Sequence, residues 1–204
     1  MIKSVLLGGL VVAGLAGCAV RSDWRTEYQQ IPASQSANWK VTGVNVVAPA
    51  TLTTTEENSY VPEADVVWHG DPPGDRRAQA AAIVTEGIRA GSAGLRGRTP
   101  VTIAATVTQF HALTPLTRGT NFANAGVENI SYTVQVLDAR SGAPLTQPQL
   151  IEADFPGLTG SAAVAADAAG NTERRQIVNH IAVVTQNWLG SGPDPRGGFN
   201  RMGR

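Results

Sequence analysis

The chain has 204 residues, and its 16 Lys and Arg balance 16 Asp and Glu. That balance leaves no field to draw in nucleic acid, which is excluded as a partner, or an anionic membrane surface. A single cysteine excludes an intrachain disulfide, so the folded part must be held by its apolar core.

At the amino terminus, "MIKSVLLGGLVVAGLAGC" carries Lys3 ahead of an apolar run from Val5 to Leu15. The run has the length of a signal-peptide core and falls short of a bilayer span, which takes about 20 apolar residues. Leu15, Ala16, Gly17 and Cys18 in this setting resemble the lipobox of bacterial lipoproteins. The resemblance implies a diacylglyceryl group on the Cys18 sulfur, removal of residues 1–17 and acylation of the new amino terminus. Each buried lipid methylene is worth about 0.8 kcal/mol, and two or more chains anchor stably where one does not. The implied partner is a membrane, held through acyl chains on Cys18. Ala19 stands where enteric lipoproteins retained in the inner membrane carry aspartate. That favours the outer membrane facing the periplasm, with the inner membrane as the alternative.

Residues 18–37 read as the lipidated cysteine and a flexible tether, because "QQIPASQSAN" is polar and small. Within the tether, Trp24 and Tyr28 either rest in the membrane interface or pack on the domain. Residues 38–190 read as a single domain and 191–204 as a disordered tail without periodicity. "NWKVTGVNVVAP" opens the domain as a strand whose alternation slips at Gly43, which predicts a bulge. A polar loop over 50–63 precedes a brief strand in "ADVVWHG".

The first helix is predicted in "DPPGDRRAQAAAIVTEGIRAG", capped by Asp71 or Asp75 and stopped by Gly91. Its apolar face is Ala80, Ile83, Val84, Gly87 and Ile88. Three strands follow. In the first, Val101, Ile103, Ala105 and Val107 point one way; in the second, Ile130, Tyr132, Val134 and Val136 do so. In the third, Ile151, Ala153 and Phe155 face inward while Glu152 and Asp154 face outward. Such alternation means a sheet with one wet face. "GLTGSAAVAADAAG" reads as a loop. The last helix starts at Asn171 or Thr172, carries Ile177, Ile181, Val184 and Trp188 as a stripe, and ends at Gly190.

The expected fold is α+β: an antiparallel sheet of four to five strands with two helices on one face, a two-layer sandwich. Its topology resembles the small α/β lipoproteins that assist lipopolysaccharide assembly or lipid transport. "VVWHGDPPGDRRAQ" and "VTQFHALT" resemble an uncharacterised family of short proteobacterial envelope lipoproteins, which implies an address and no activity.

Catalytic signals are sparse. No serine stands in a G-x-S-x-G elbow, and neither a phosphate-binding nor a dinucleotide-binding glycine motif is present. No cofactor is expected. The three histidines lack the spacing of a metal site, so no metal is expected either. His69 with Asp71 and Asp75 comes nearest to a general base or metal site, although both acids stand where a helix takes its cap. Both helices open with an acid and two arginines, disfavoured there by the helix dipole. Arg76, Arg77, Arg174 and Arg175 could therefore grip one anion if the two starts were neighbours. The alternative is solvated ion pairing, which is weak. The long loop "TPLTRGTNFANAGVEN", with Phe122, is a further place for a partner. These features together favour a membrane-anchored, non-catalytic binding or assembly module that contacts another envelope protein.

Overall fold

The computed structural model describes residues 23–24, 26–122 and 125–200. The expected signal peptide over 1–17, Cys18 and residues 201–204 lie outside them.

In chain order the elements are β1 (Asp23–Trp24), α1 (Ala33–Ser36), β2 (Trp39–Val47), β3 (Thr54–Thr55), β4 (Val66–Val67) and α2 (Arg76–Ser92). They continue as β5 (Thr99–His111), α3 (Pro115–Arg118), β6 (Val127–Asp138), β7 (Gln149–Glu152) and β8 (Phe155–Pro156). The last are α4 (Gly160–Ala168), α5 (Glu173–Trp188) and β9 (Phe199–Asn200).

Strands β5 and β6 form the antiparallel centre of the sheet, paired from Val101↔Asp138 to His111↔Asn129. Strand β2 lies parallel to β5 from Trp39↔Thr99 to Val47↔Thr106, and the pairing shifts between Val41 and Gly43, where the bulge was expected. Farther along the same flank β4 is also parallel to β5, and β3 is parallel to β4. The outer flank of β6 takes β7 and β8, both antiparallel.

The fold is thus α+β with an open sheet, but the sheet is mixed rather than antiparallel. A strand that returns through a helix comes back parallel, and α2 lies between β2 and β5. Half-buried strands of either sense alternate in the same way, so periodicity did not distinguish them. Among the described residues the main sheet has seven strands and the chain five helices, more than the four to five strands and two helices expected. The additions are mostly elements of two to four residues, too short to show a period.

Val101, Ile103, Val107, Phe110, Ile130, Tyr132, Val134 and Val136 are all buried under α2 and α5. Helix α2 is capped by Asp75, whose carboxylate accepts the N–H groups of Arg77 and Ala78, and α5 by Thr172. Gly91 does not stop α2, which runs on to Ser92. It lies instead at the crossing with α5. A Cβ at Gly87 would come 2.6 Å from Ile181 Cβ, and one at Gly91 2.6 Å from Thr185 Cβ. The four-residue step is matched on both helices, so α2 and α5 run in the same direction and start at the same end of the sheet.

Three other expectations are corrected. Residues 26–37 are not a slack tether: Thr26, Ile31 and Ser36 are buried, and the Ile31 N–H donates to Trp188 O at 2.7 Å. Tyr28 packs on the domain, its hydroxyl 2.7 Å from Asn187 Oδ1 and its ring beneath the Arg196 guanidinium. In the segment expected as a disordered tail, Phe199 and Asn200 pair with Trp24 and Asp23 as β9 on β1. Residues 160–168 form α4 rather than a loop. Alanine has the highest intrinsic helix propensity, which decides the conformation even where an apolar stripe is missing.

Gly91→Ala is expected to destabilise the fold by about 1–3 kcal/mol, the usual cost of overpacking, despite alanine's advantage of about 1 kcal/mol in a helix. Gly94→Ala is the control, because nothing lies within 4 Å of a Cβ there. Denaturant unfolding of the two variants checks this; equal midpoints would mean that the helices do not meet so closely.

Candidate functional site

Two openings lie side by side at the end of the domain where α5 begins, and Leu113 lines both. The first is an apolar pocket of about 200 Å³. Its walls include Pro62, Ala112, Leu113, Ala125 and Val127. Tyr60, Val61 and Phe122 also line it and remain 50%, 61% and 62% exposed. The loop that carries Phe122 is anchored by the short helix α3, capped by Thr114, whose hydroxyl donates to Ser59 O at 2.8 Å.

The second opening is a cleft of about 480 Å³ between α3, α4 and the start of α5, where Arg118, Asp167, Glu173 and Arg174 join a mostly apolar lining. Beneath it two acids are buried together: Glu128 on β6 is 1% exposed and Glu173, the first residue of α5, is 6% exposed. Their carboxyl groups lie near enough for the charge of one to act on the other. The pair must therefore hold a proton, since two adjacent buried carboxylates cannot both ionise cheaply. Burial, and then the charge of Glu173, push the Glu128 carboxyl well above the usual range. Burial also pushes Glu173 up to about 7, against the opposing pull of Arg118. Both carboxyl groups are thus raised, and Glu128 Oε2 accepts the N–H of Leu113 at 3.2 Å. This bond fixes the residue that divides the two openings.

Arg118 completes the cluster. One nitrogen donates to Asp167 Oδ2 at 2.7 Å, while Nη1 lies 3.6 Å from Glu173 Oε1. At that separation neither Nη1 nor Oε1 completes a hydrogen bond. His69 lines the same cleft, and its buried Nε2 also has no partner among the described residues.

The residues singled out from sequence are placed as follows. Arg76 is buried, with two nitrogens on the Glu56 carboxylate at 2.7 and 2.8 Å. Arg77 donates to Leu52 O and Arg175 to Gly170 O. Arg174 pairs with Glu86 at 2.7 Å and approaches Asp71 at 3.8 Å. The helix starts are neighbours, since Arg76 also reaches Asp71 through its carbonyl. Each arginine is engaged by an acceptor within the domain, and Arg76 and Arg174 both reach Asp71. His69, Asp71 and Asp75 do not assemble either. Asp71 Oδ2 accepts the indole N–H of Trp68 at 2.8 Å, and Asp75 is the cap of α2. Among the described residues no group of three His, Cys, Asp or Glu could hold a metal ion, and no helix is long and apolar enough to cross a membrane.

The sequence carries a signal that both acids face inward, although not that they meet each other and Arg118. The inward phase of Ile130, Tyr132, Val134 and Val136 continues back to position 128. The stripe of Ile177, Ile181, Val184 and Trp188 continues back four residues to position 173. An acid on a core-facing phase is the mark of a buried, paired carboxyl group.

Fold and openings define a small α+β domain whose mixed sheet presents an apolar pocket beside a cleft edged by charged side chains. The chain belongs to a family of unknown function, DUF6778, whose model matches residues 39–204. No curated protein matches it. Among solved structures it is similar to a candidate lipoprotein from Caulobacter crescentus CB15, at 17% identity over 79% of this chain and 98% of that one, with a TM-score of 0.32. It is also similar to the PelC dodecamer from Paraburkholderia phytofirmans, at 13% identity over 83% and 98%, with a TM-score of 0.38. At such scores the likenesses say nothing about function or assembly.

The buried pair sets a dependence of stability on pH. Between the ordinary Glu value of 4.5 and their raised values, Glu128 and Glu173 hold more protons folded than unfolded, so stability falls as pH rises. His180, pushed down to about 4 by burial, acts oppositely, but only below its ordinary value of 6.5. From about pH 6.5 to about pH 8 the unfolding free energy should therefore drop, by on the order of 1–2 kcal/mol. Glu128→Gln, which keeps a donor towards Glu173, should remove most of the drop. Urea titrations of both proteins across this range test it, and parallel profiles would rule out a proton shared by the pair.

Proposed function

We propose that this chain is a lipid-anchored protein of the bacterial cell envelope whose α+β domain is a non-catalytic binding module for another envelope protein. The anchor is Cys18, preceded by the signal sequence and lipobox-like Leu15-Ala16-Gly17. Ala19 supports the outer membrane, with the domain in the periplasm.

One observation carries the binding role: Tyr60, Val61 and Phe122 stand in water around an apolar pocket. Large apolar groups gathered at a concave opening mark interaction sites, whereas singly scattered ones do not. An engineered apolar cavity of about 150 Å³ stays dry and accepts benzene. A pocket of about 200 Å³ accordingly takes one bulky apolar side chain from a partner. Tethering at a bilayer raises the effective concentration of any partner held there and compensates for a small contact.

Mass spectrometry of the native protein is expected to find diacylglycerol on the Cys18 sulfur and residues 1–17 removed. A bare thiol would remove the anchor. A photo-crosslinking side chain at position 122, in intact cells, is expected to yield one discrete adduct with an envelope protein. The same side chain at Leu150, exposed on β7, should not give it. Identical adducts from both positions would refute a site at the pocket.

A further inference from the structure

We infer that the open edge of β2, with the groove between it and the end of α2, is a docking site for an extended acidic segment of a partner protein, which joins the sheet as a further strand. The site lies at the start of β5, whereas the apolar pocket lies at the end of that strand. It does not depend on the role proposed for the pocket.

Strand β2 is nine residues long and pairs with β5 alone, so one side of its backbone has no neighbouring strand. The Trp39 carbonyl accepts the Gly97 N–H at 2.8 Å. Beyond it, among the described residues, no bond from outside the β5 ladder reaches the backbone of residues 40–47. Unpaired N–H and C=O groups along an edge are a template for another strand. Val47, at the far end of this edge, is 57% exposed.

The charges beside the edge select the strand. The groove has a volume of about 380 Å³ and is lined by residues 40–44 together with Arg89, Ser92, Ala93, Leu95 and Arg96. Lys40, Arg89 and Arg96 are exposed, and none has an ion-pair or hydrogen-bond partner among the described residues. No acid lines the groove, and residues 28–55 and 87–127 contain neither Asp nor Glu. The charges of the chain balance overall but are segregated here. Arg89 suits the negative end of α2. That does not account for Lys40, on the strand, or Arg96, in the loop after the helix. A lysine on an edge guards it against strands of like charge and attracts an acidic one. A second copy pairing edge to edge is disfavoured, because a two-fold contact would set the two groups of cations against each other. An anionic lipid surface would satisfy the cations but leave the strand edge unpaired.

The test uses the full chain in dodecylmaltoside and a fluorescent, end-blocked peptide in which glutamate and valine alternate. Anisotropy at low salt should show saturable binding at millimolar concentration or tighter, weakening as salt is raised. Hydrogen exchange should slow across β2 when the peptide binds. Two further peptides are compared on the same protein. One carries glutamine for glutamate; the other has proline for its central valine, which keeps the charge and breaks the strand. Each should bind about tenfold more weakly, as should the acidic peptide to the double variant Arg89→Gln, Arg96→Gln, the scale of two exposed ion pairs. Both arginines are exposed, so the unfolding midpoint of the variant should stay in place. The peptide comparisons use the unaltered chain and decide the matter even if the variant fails to fold. No binding, equal binding of the glutamine or proline peptide, or undiminished binding by a folded double variant would each overturn the assignment. Slowed exchange across β2 caused by phosphatidylglycerol in the micelles, with no peptide present, would hand the cations to a lipid surface and overturn it as well.

Discussion

Helices α2 and α5 touch backbone to side chain, with no room for a Cβ at Gly87 or Gly91, and the arrangement of the functional end follows from that contact. Close approach brings two parallel helices together over one face of the sheet. It seals Ile83, Val84, Ile88, Ile177, Ile181 and Val184 against β5 and β6. Because the helices start at the same end, their first turns, the end of β4 and the start of β6 share one neighbourhood. That neighbourhood contains both openings.

The buried acid pair lies directly beneath this end. Isolated carboxylates in a core are costly, and this pair is tolerable only because it holds a proton, accepts a backbone N–H from Leu113 and has Arg118 alongside. A well-packed apolar replacement would serve stability as well or better. What the acids supply is position. Glu128 holds the segment that carries Leu113, and Glu173 places a charged group at the edge of the cleft. Leu113 is thereby the common wall of the pocket and the cleft, so anything that moves it alters both.

Several elements were legible from local chemistry. The slip at Gly43, the cap at Asp75, the cap at Thr172 and the stop at Gly190 all depend on neighbours within a few residues. Elements of two to four residues were not legible, since a period needs more than one repeat. Helix α4 is hidden for a different reason: an alanine-rich run looks like low complexity, and propensity rather than pattern makes it helical. Gly91 is ambiguous in the sequence because a glycine near a helix end and a glycine at a helix crossing are identical in one dimension.

The sequence by itself determined the α+β class, the wet and dry faces of the strands, the two long helices and the lipobox-like start. Each of these follows from the period of apolar residues or from a short motif, and both are properties of neighbours along the chain. Only the tertiary structure decided that β2 and β4 run parallel to β5, that residues 26–37 lie against the domain, and that the four arginines each meet an acceptor within the domain. It alone joined Glu128 to Glu173 across 45 positions of chain and set Arg118 beside them. Phase can show that each acid points inward. Which group it meets there depends on how strand and helix are stacked, and that is settled by long-range packing rather than by any local pattern.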